Sequence, residues 1–414
     1  MVRCSESSRV MDAKGYFKNK TGQNSVKAAV YLLIILLLSQ CKINSNISGV
    51  ENLADIDISR SHPPKELHIQ TVADVEYVPL ETTDFFLLDN RPMLSYVSDN
   101  YILIWQSRGD IFVFNREGKA IFHFNRLGQG PGEYSRISNV IFDEKSEEIF
   151  VTSNLSRIFV YSPTGEHKRT LILPDEIIAM TAYNFDDETM LVYDETGLVH
   201  NAYKEYPYLF VSKQDGSIVH TLNLNLPVRY SNRISSQTNV SGQTQPPILI
   251  TTPNNRRYGE DFVIADISSD TIYMLTKSRD LTPLLVRKPS IHSSHDIKTV
   301  LTSFLTTDKF IFLWKIVFDA AALRNNQNLY TSLMYEIETG TTHNVSFVND
   351  DFPSKAWIID TDNLDIYKNM TAGLLEVNML KDAFKEGKLK GKLEKLAETL
   401  DEEDNPVMMI VKFK

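Results

Sequence analysis

A strand that ends in a glycine turn returns along this chain at nearly constant spacing, and no other feature restricts the fold as tightly. Ile111-Phe-Val-Phe-Asn-Arg-Glu-Gly118-Lys119 recurs as Ile158-Phe-Val-Tyr-Ser-Pro-Thr-Gly165-Glu166 and, with more drift, as Leu209-Phe-Val-Ser-Lys-Gln-Asp-Gly216-Ser217. Each copy is a strand, a tight turn whose glycine accepts positive φ, and a returning strand. The intervals between turn glycines are 47 and 51 residues, against the ~40–50 residues of a four-stranded propeller blade. Looser copies follow at Thr271-Ile-Tyr-Met-Leu275, ahead of the polar turn 277–280, and at Leu333-Met-Tyr-Glu-Ile-Glu-Thr-Gly340. Around the first copy, the apolar runs 101–105, 111–115 and 120–124 are too close together for a crossover helix, so they are read as neighbouring antiparallel strands.

Five blades are visible in this way, and a sixth is assembled from what remains. Val75-Glu-Tyr-Val-Pro-Leu80 precedes the first blade and Pro406-Val-Met-Met-Ile-Val-Lys-Phe413 ends the chain. Pairing them in a shared blade closes the ring and removes exposed sheet edges. The expected fold is therefore an all-β, six-bladed propeller of four-stranded antiparallel blades over residues 67–414. One helix is expected at about 375–400, before the closing strand. There Leu380, Phe384, Leu389, Leu393 and Leu396 form an apolar stripe among lysines. The Ser/Asn/Gln/Pro-rich segment 231–247 reads as a long loop.

The N-terminus carries a different signal. Residues 28–38 are an uncharged apolar run behind Lys14, Lys18, Lys20 and Lys27. A run this short fits a signal-peptide core of roughly 7–15 residues and falls short of the roughly 20 needed to cross a bilayer. Leu38-Ser39-Gln40-Cys41 resembles the bacterial lipobox, with Gln40 where a small residue is usual. The expectation is a signal peptide over 1–40 and a lipidated Cys41 as the membrane anchor. The polar stretch 41–66, with Pro63-Pro64, is expected to be a flexible tether. Cys4 would leave with the signal, so no disulfide within the remaining chain is available and the fold must rest on apolar burial. Subtracting the +4 of residues 1–40 from the chain's −10 leaves −14 on the remainder. That charge repels phosphate backbones, and no nucleic-acid partner is expected.

Arg126-Leu-Gly-Gln-Gly-Pro-Gly-Glu-Tyr134 resembles the Gly-x-Gly-Pro-Gly-Glu-Tyr signature of the six-bladed β-propeller lipoproteins of Bacteroides and its relatives, which are distantly similar to NHL-repeat and TolB-type propellers. Tyr77-Val-Pro-Leu-Glu-Thr82, Asp270-Thr-Ile-Tyr273 and Asn405-Pro-Val-Met-Met-Ile-Val-Lys412 agree, in the same order. The resemblance implies the fold over nearly the whole exported part and implies little about activity. Gly128, Gly130 and Gly132 are not followed by a helix, so a phosphate cradle is not expected. The block reads as a crossing between blades. Because such crossings lie on a face where propellers bind, Arg126, Gln129, Glu133 and Tyr134 are candidate ligand contacts.

No local catalytic motif and no cofactor signature is present. His292 and His295, in His292-Ser-Ser-His295-Asp296, are the candidate metal ligands, although two histidines three apart are more simply a solvated loop. Asp401-Glu-Glu-Asp404 reads as a solvated turn and Asn184-Phe-Asp-Asp-Glu188 as a hairpin loop. Trp105, Trp314 and Trp357 fall in strand patterns that point to packing between blades. The reading that follows is a lipid-anchored binding module of the cell envelope, for a glycan or an envelope protein. The alternatives are a metal-dependent lactonase or lyase-type propeller and an envelope scaffold. The outer membrane is the expected location. Lys42-Ile-Asn lacks an acidic export run, which favours its periplasmic side.

Overall fold

The computed structural model describes residues 53–414, apart from 90, 154–155, 175–176, 197–205, 225, 227, 230–232, 236–238, 241–242, 245–248, 252–254, 294–298, 318–328, 354–363 and 367–368. The chain is a six-bladed β-propeller. The first blade is Met93–Val97, Tyr101–Trp105, Asp110–Asn115 and Ala120–Asn125; the second is Asn139–Asp143, Glu148–Ser153, Arg157–Tyr161 and His167–Ile172. The third comprises Thr181–Asn184, Thr189–Tyr193, Tyr208–Ser212 and Ile218–Thr221. Asn255–Tyr258, Asp261–Ile264, Thr271–Leu275 and Leu281–Lys288 make the fourth, and Thr299–Thr306, Phe310–Val317, Tyr330–Glu336 and Thr341–Val348 the fifth. Within each of these blades the strands meander antiparallel from the channel outward. The repeated motif is the third strand of its blade every time.

The reason these sequences close into a ring is that both faces of each blade are apolar. Along the second strand of the first blade, Leu103 and Trp105 face the second blade, where they meet Val140, Phe142 and Val151. Ile102 and Ile104 point the other way, toward Met408 and Ile410 of the sixth. Alternation along a strand thus feeds two interfaces, and each fully buried Ile, Leu or Phe contributes roughly 1.5–3 kcal/mol. Trp105 is consumed in this packing. Trp314 is partly buried against Phe304 and Tyr330, and Trp357 lies outside the described residues.

The sixth blade joins the two ends of the described chain. Val407–Phe413 lies between Met370–Leu375 and Ala73–Pro79, antiparallel to both, with Val75 opposite Val411 and Pro79 opposite Val407. The closure inferred from the sequence is therefore present. Among the described residues its sheet has three strands. The short strand Asp365–Ile366, which precedes Met370–Leu375 and would be its innermost member, pairs in parallel with Tyr96 and Val97 of the first blade instead. The seam between the sixth and first blades is thus bridged at the channel as well as closed at the rim.

Two expectations need correction. The tether expected over 41–66 stops short of its far end, because Ala54–Asp57 pairs in parallel with the outer strand of the fourth blade and Pro64–His68 with that of the fifth. Ile56, Ile58 and Leu67 are buried there, so the folded part includes residues from 54 and not from 67. The single helix expected at 375–400 is two, Val377–Lys385 and Gly391–Thr399. Gly387 takes φ 67 just after the first, and the Lys388 N–H bonds back to the Ala383 carbonyl at 2.9 Å, which ends that helix. Lys381 Nζ donates to the Leu400 carbonyl at 2.6 Å, tying the end of the second helix to the first. Leu380, Leu389, Leu393 and Ala397 pack with Phe304, Leu375 and Val407 beside the fifth and sixth blades.

Candidate functional site

Each blade's first strand runs toward one face of the ring, here the turn face, which also carries the loops between third and fourth strands. The opposite, crossing face carries the links from one blade to the next. On the turn face the mouth of the channel opens into a cavity of about 910 Å³. Its walls are loops between first and second strands: 143–145 of the second blade, 184–188 of the third and 257–260 of the fourth. Tyr96 and Val97 of the first blade, the bridging pair Asp365 and Ile366, and Lys277 complete it. Residues far apart in sequence meet here because first strands end side by side around the axis.

Ion pairs organise the wall. Lys213 Nζ donates to Asp143 at 2.7 Å and to the Asp186 carbonyl at 2.5 Å, and the Lys213 and Asp143 side chains are only 7% and 8% exposed. Arg257 donates to Asp365 at 2.5 Å and to the Asn184 carbonyl, while its guanidinium lies 4.7 Å from the Phe262 ring centre. This links the fourth blade to the bridging strand on the first. Arg279 reaches Asp186 at 3.2 Å and lies 4.6 Å over Phe210. Glu144 accepts from the Tyr96 hydroxyl at 2.8 Å and from Asn100 at 2.5 Å. At the rim, Lys145 pairs with Asp187, and Lys277 with Glu260.

Among the described residues seven carboxylates and three cations line the cavity, so its field is negative. Burial pushes the Asp365 carboxyl above its ordinary value despite the neighbouring Arg257. For Asp186 burial also acts upward, but it is outweighed by the Thr189 hydroxyl, the Glu188 and Thr189 N–H groups and Arg279, and the net direction is down. Among the described residues no three His, Cys, Asp or Glu side chains converge as a metal site requires.

The four candidate contacts read from the sequence lie on the crossing face, away from this cavity. Tyr134 is fully buried; its hydroxyl donates to the Gly109 carbonyl at 2.6 Å and accepts from the Arg126 N–H at 2.9 Å. Arg126 Nε donates to the Gly165 carbonyl at 2.8 Å, and Glu133 accepts from the Gly130 N–H at 2.8 Å. A Cβ at Gly128 would first meet the Glu133 carboxylate, the flexible end of a side chain that can move aside. Gln129 is exposed. His292 is exposed in the turn Ile291–Ser293, and His295 lies outside the described residues.

Sequence reasoning singled out Asn184–Glu188 as a hairpin loop, which it is, and missed that it walls the cavity. It also missed Asp143, Lys213, Arg257 and Asp365. One signal was available. The fourth blade has Arg279 at the turn position where Gly118, Gly165 and Gly216 stand in others, and it too adopts positive φ, 71°. A side chain kept in that conformation points to a use for it.

Comparison with solved structures finds a protein of Bacteroides fragilis NCTC 9343 described as exported (BF0058), 16% identical, with a TM-score of 0.59 over 87% of this chain and 99% of that one. BamB from Moraxella catarrhalis matches at 11% identity and a TM-score of 0.34, over 66% of each chain. The RRP9 WD40 repeats match at 7% identity and 0.37, over 82% of this chain and 98% of that one. The first likeness supports the fold. No curated protein matches the sequence. Residues 53–412 match the family described as "Domain of unknown function (DUF4934)", and the chain belongs to that family.

Proposed function

We propose that this chain is an exported, lipid-anchored binding module, held to the outer membrane through Cys41 and engaging its ligand at the turn-face mouth of the propeller. The observation that carries the reading is the cavity itself. Loops of three blades, the end of a fourth blade's first strand and the bridging strand 365–366 converge on one concavity. A single large cavity with convergent polar groups is where ligands bind folded domains. Six of the carboxylates at the mouth, Asp143, Glu144, Asp186, Asp187, Glu260 and Asp365, are engaged by cations or a hydroxyl, which favours recognition over metal-assisted chemistry. The basic segment and apolar run before Cys41 support export and lipidation. Among the described residues no helix is long and apolar enough to cross a membrane. The glycine-rich crossing acts as a structural splice between the first two blades.

Two measurements test the reading. Metabolic labelling with a palmitate analogue should mark the wild-type chain and leave Cys41→Ser unmarked; equal labelling defeats the anchor. For the site, a fluorophore is placed at Asp187→Cys on the cavity rim or at Gln129→Cys on the crossing face. Fractionated envelope polysaccharide and protein should perturb the first reporter. A response confined to the second would move the site to the crossing face.

A further inference from the structure

The arrangement of hydrogen-bonding groups in the mouth restricts what can occupy it. Three cation–carboxylate pairs support the wall: Arg257 and Asp365 line it together, while Lys213 and Arg279, outside the lining, hold the lining carboxylates Asp143 and Asp186. Each charge is already compensated and fixed in place. The lining therefore presents both kinds of group, N–H donors on Lys145, Arg257 and Lys277 and carboxylate oxygens on Asp143, Asp186 and Asp365. An ammonium group only donates and a phosphate or carboxylate only accepts, so either would satisfy half of this array. Exploiting the rest would mean prising apart a pair and leaving a charge uncompensated in a shielded place. A hydroxyl both donates and accepts, and matches the array as it stands.

Three further observations point the same way. Asn184 lines the cavity, and its buried side-chain oxygen has no hydrogen-bond partner, which leaves one uncommitted acceptor in the wall. Tyr96 lines it with a half-buried ring, braced edge-on against Phe142 at 5.3 Å and by Glu144 through its hydroxyl. A rigid aromatic of this kind offers an apolar platform beside polar groups. The volume of about 910 Å³ is near the upper end of the roughly 300–1,000 Å³ of small-molecule sites. It therefore suits a chain of several rings better than a single sugar.

We infer that the mouth takes an uncharged, polyhydroxylated ligand: a neutral oligosaccharide of several rings. The inference rests on the mouth being the binding site, as proposed above. The acidic excess of the rim excludes phosphorylated or uronic-acid chains by repulsion.

The test is calorimetric titration of the chain from residue 42 onward with three sets of probes. These are neutral hexasaccharides (gluco-, manno-, xylo- and N-acetylchito-), oligogalacturonate, and the cations spermine and hexalysine. The expected result is binding of at least one neutral chain, with affinity unchanged within about twofold between about 50 and about 500 mM NaCl. Tyr96→Ala should weaken it about tenfold while Tyr96→Phe retains it. Circular dichroism of each variant checks that the fold persists. Arg108→Glu, a charge reversal at an exposed position on the crossing face, should leave neutral binding nearly unchanged. Salt-sensitive binding of spermine or hexalysine, abolished by Glu188→Lys, would overturn the neutral-sugar inference and leave the mouth as the site. Binding of oligogalacturonate alone would also overturn it. Absence of binding by every probe overturns the inference, and the Asp187→Cys reporter then decides whether the mouth binds anything else.

Discussion

At Gly165 two constraints coincide, and together they explain why the turn motif repeats. The residue has φ 80, and a Cβ built there would lie 2.5 Å from Phe124 at the end of the first blade's outer strand. Gly118 and Gly216 are pressed against the preceding blade in the same way, at Pro79 and Ile172. Gly165→Ala should therefore cost about 2–4 kcal/mol, combining left-handed strain with overpacking. Urea unfolding of the soluble chain measures it, and a loss under about 0.5 kcal/mol would remove the close-approach explanation. Arg279 shows the opposite solution at the same position. It accepts positive φ and contributes a guanidinium over Phe210 and an ion pair with Asp186. The departure from glycine was legible in the sequence. Its reason was not, since Asp186 lies 93 residues away.

Among elements, the outer strands 54–57 and 64–68 were the hardest to read. Each buries one apolar residue and leaves the rest partly or fully exposed, and a parallel pairing at a sheet edge leaves no alternation long enough to stand out. They nonetheless cover edges of the fourth and fifth blades that would otherwise be open to another chain. Ile56→Ala and Leu67→Ala should each lower stability by about 2–4 kcal/mol in the same unfolding assay. A mobile tether at these positions would show no change. The helical insertion was legible as an apolar stripe. Its division in two was set by Gly387, whose positive φ becomes necessary only where the chain must turn back onto the fifth and sixth blades.

For the whole molecule, stability rests on a closed ring in which every blade shields its neighbours, and ionisation modulates it. Burial tends to raise the Glu148 carboxyl, but Arg169 at 2.6 Å and Lys168 at 2.7 Å outweigh this and hold it below its ordinary value. Asp186 is lowered too. Groups depressed on folding stabilise the protein above their unfolded values near 4, and that contribution disappears as pH falls through the lower folded values. Asp365 has the opposite sign. Its raised value favours the folded state below about pH 4 and loses that contribution as pH climbs through the folded value. The melting midpoint should thus fall below pH 4, and Glu148→Gln should flatten the fall; an unchanged slope would remove Glu148 as a contributor. What the sequence by itself determined is the repeat, the blade it builds and the closure between Val75–Pro79 and Val407–Val411, because period, alternation and turn chemistry are local. Only the tertiary structure decided where the cavity lies and which charges meet in it. Arg257 and Asp365, or Lys213 and Asp143, become partners through the ring's curvature, which no local pattern encodes.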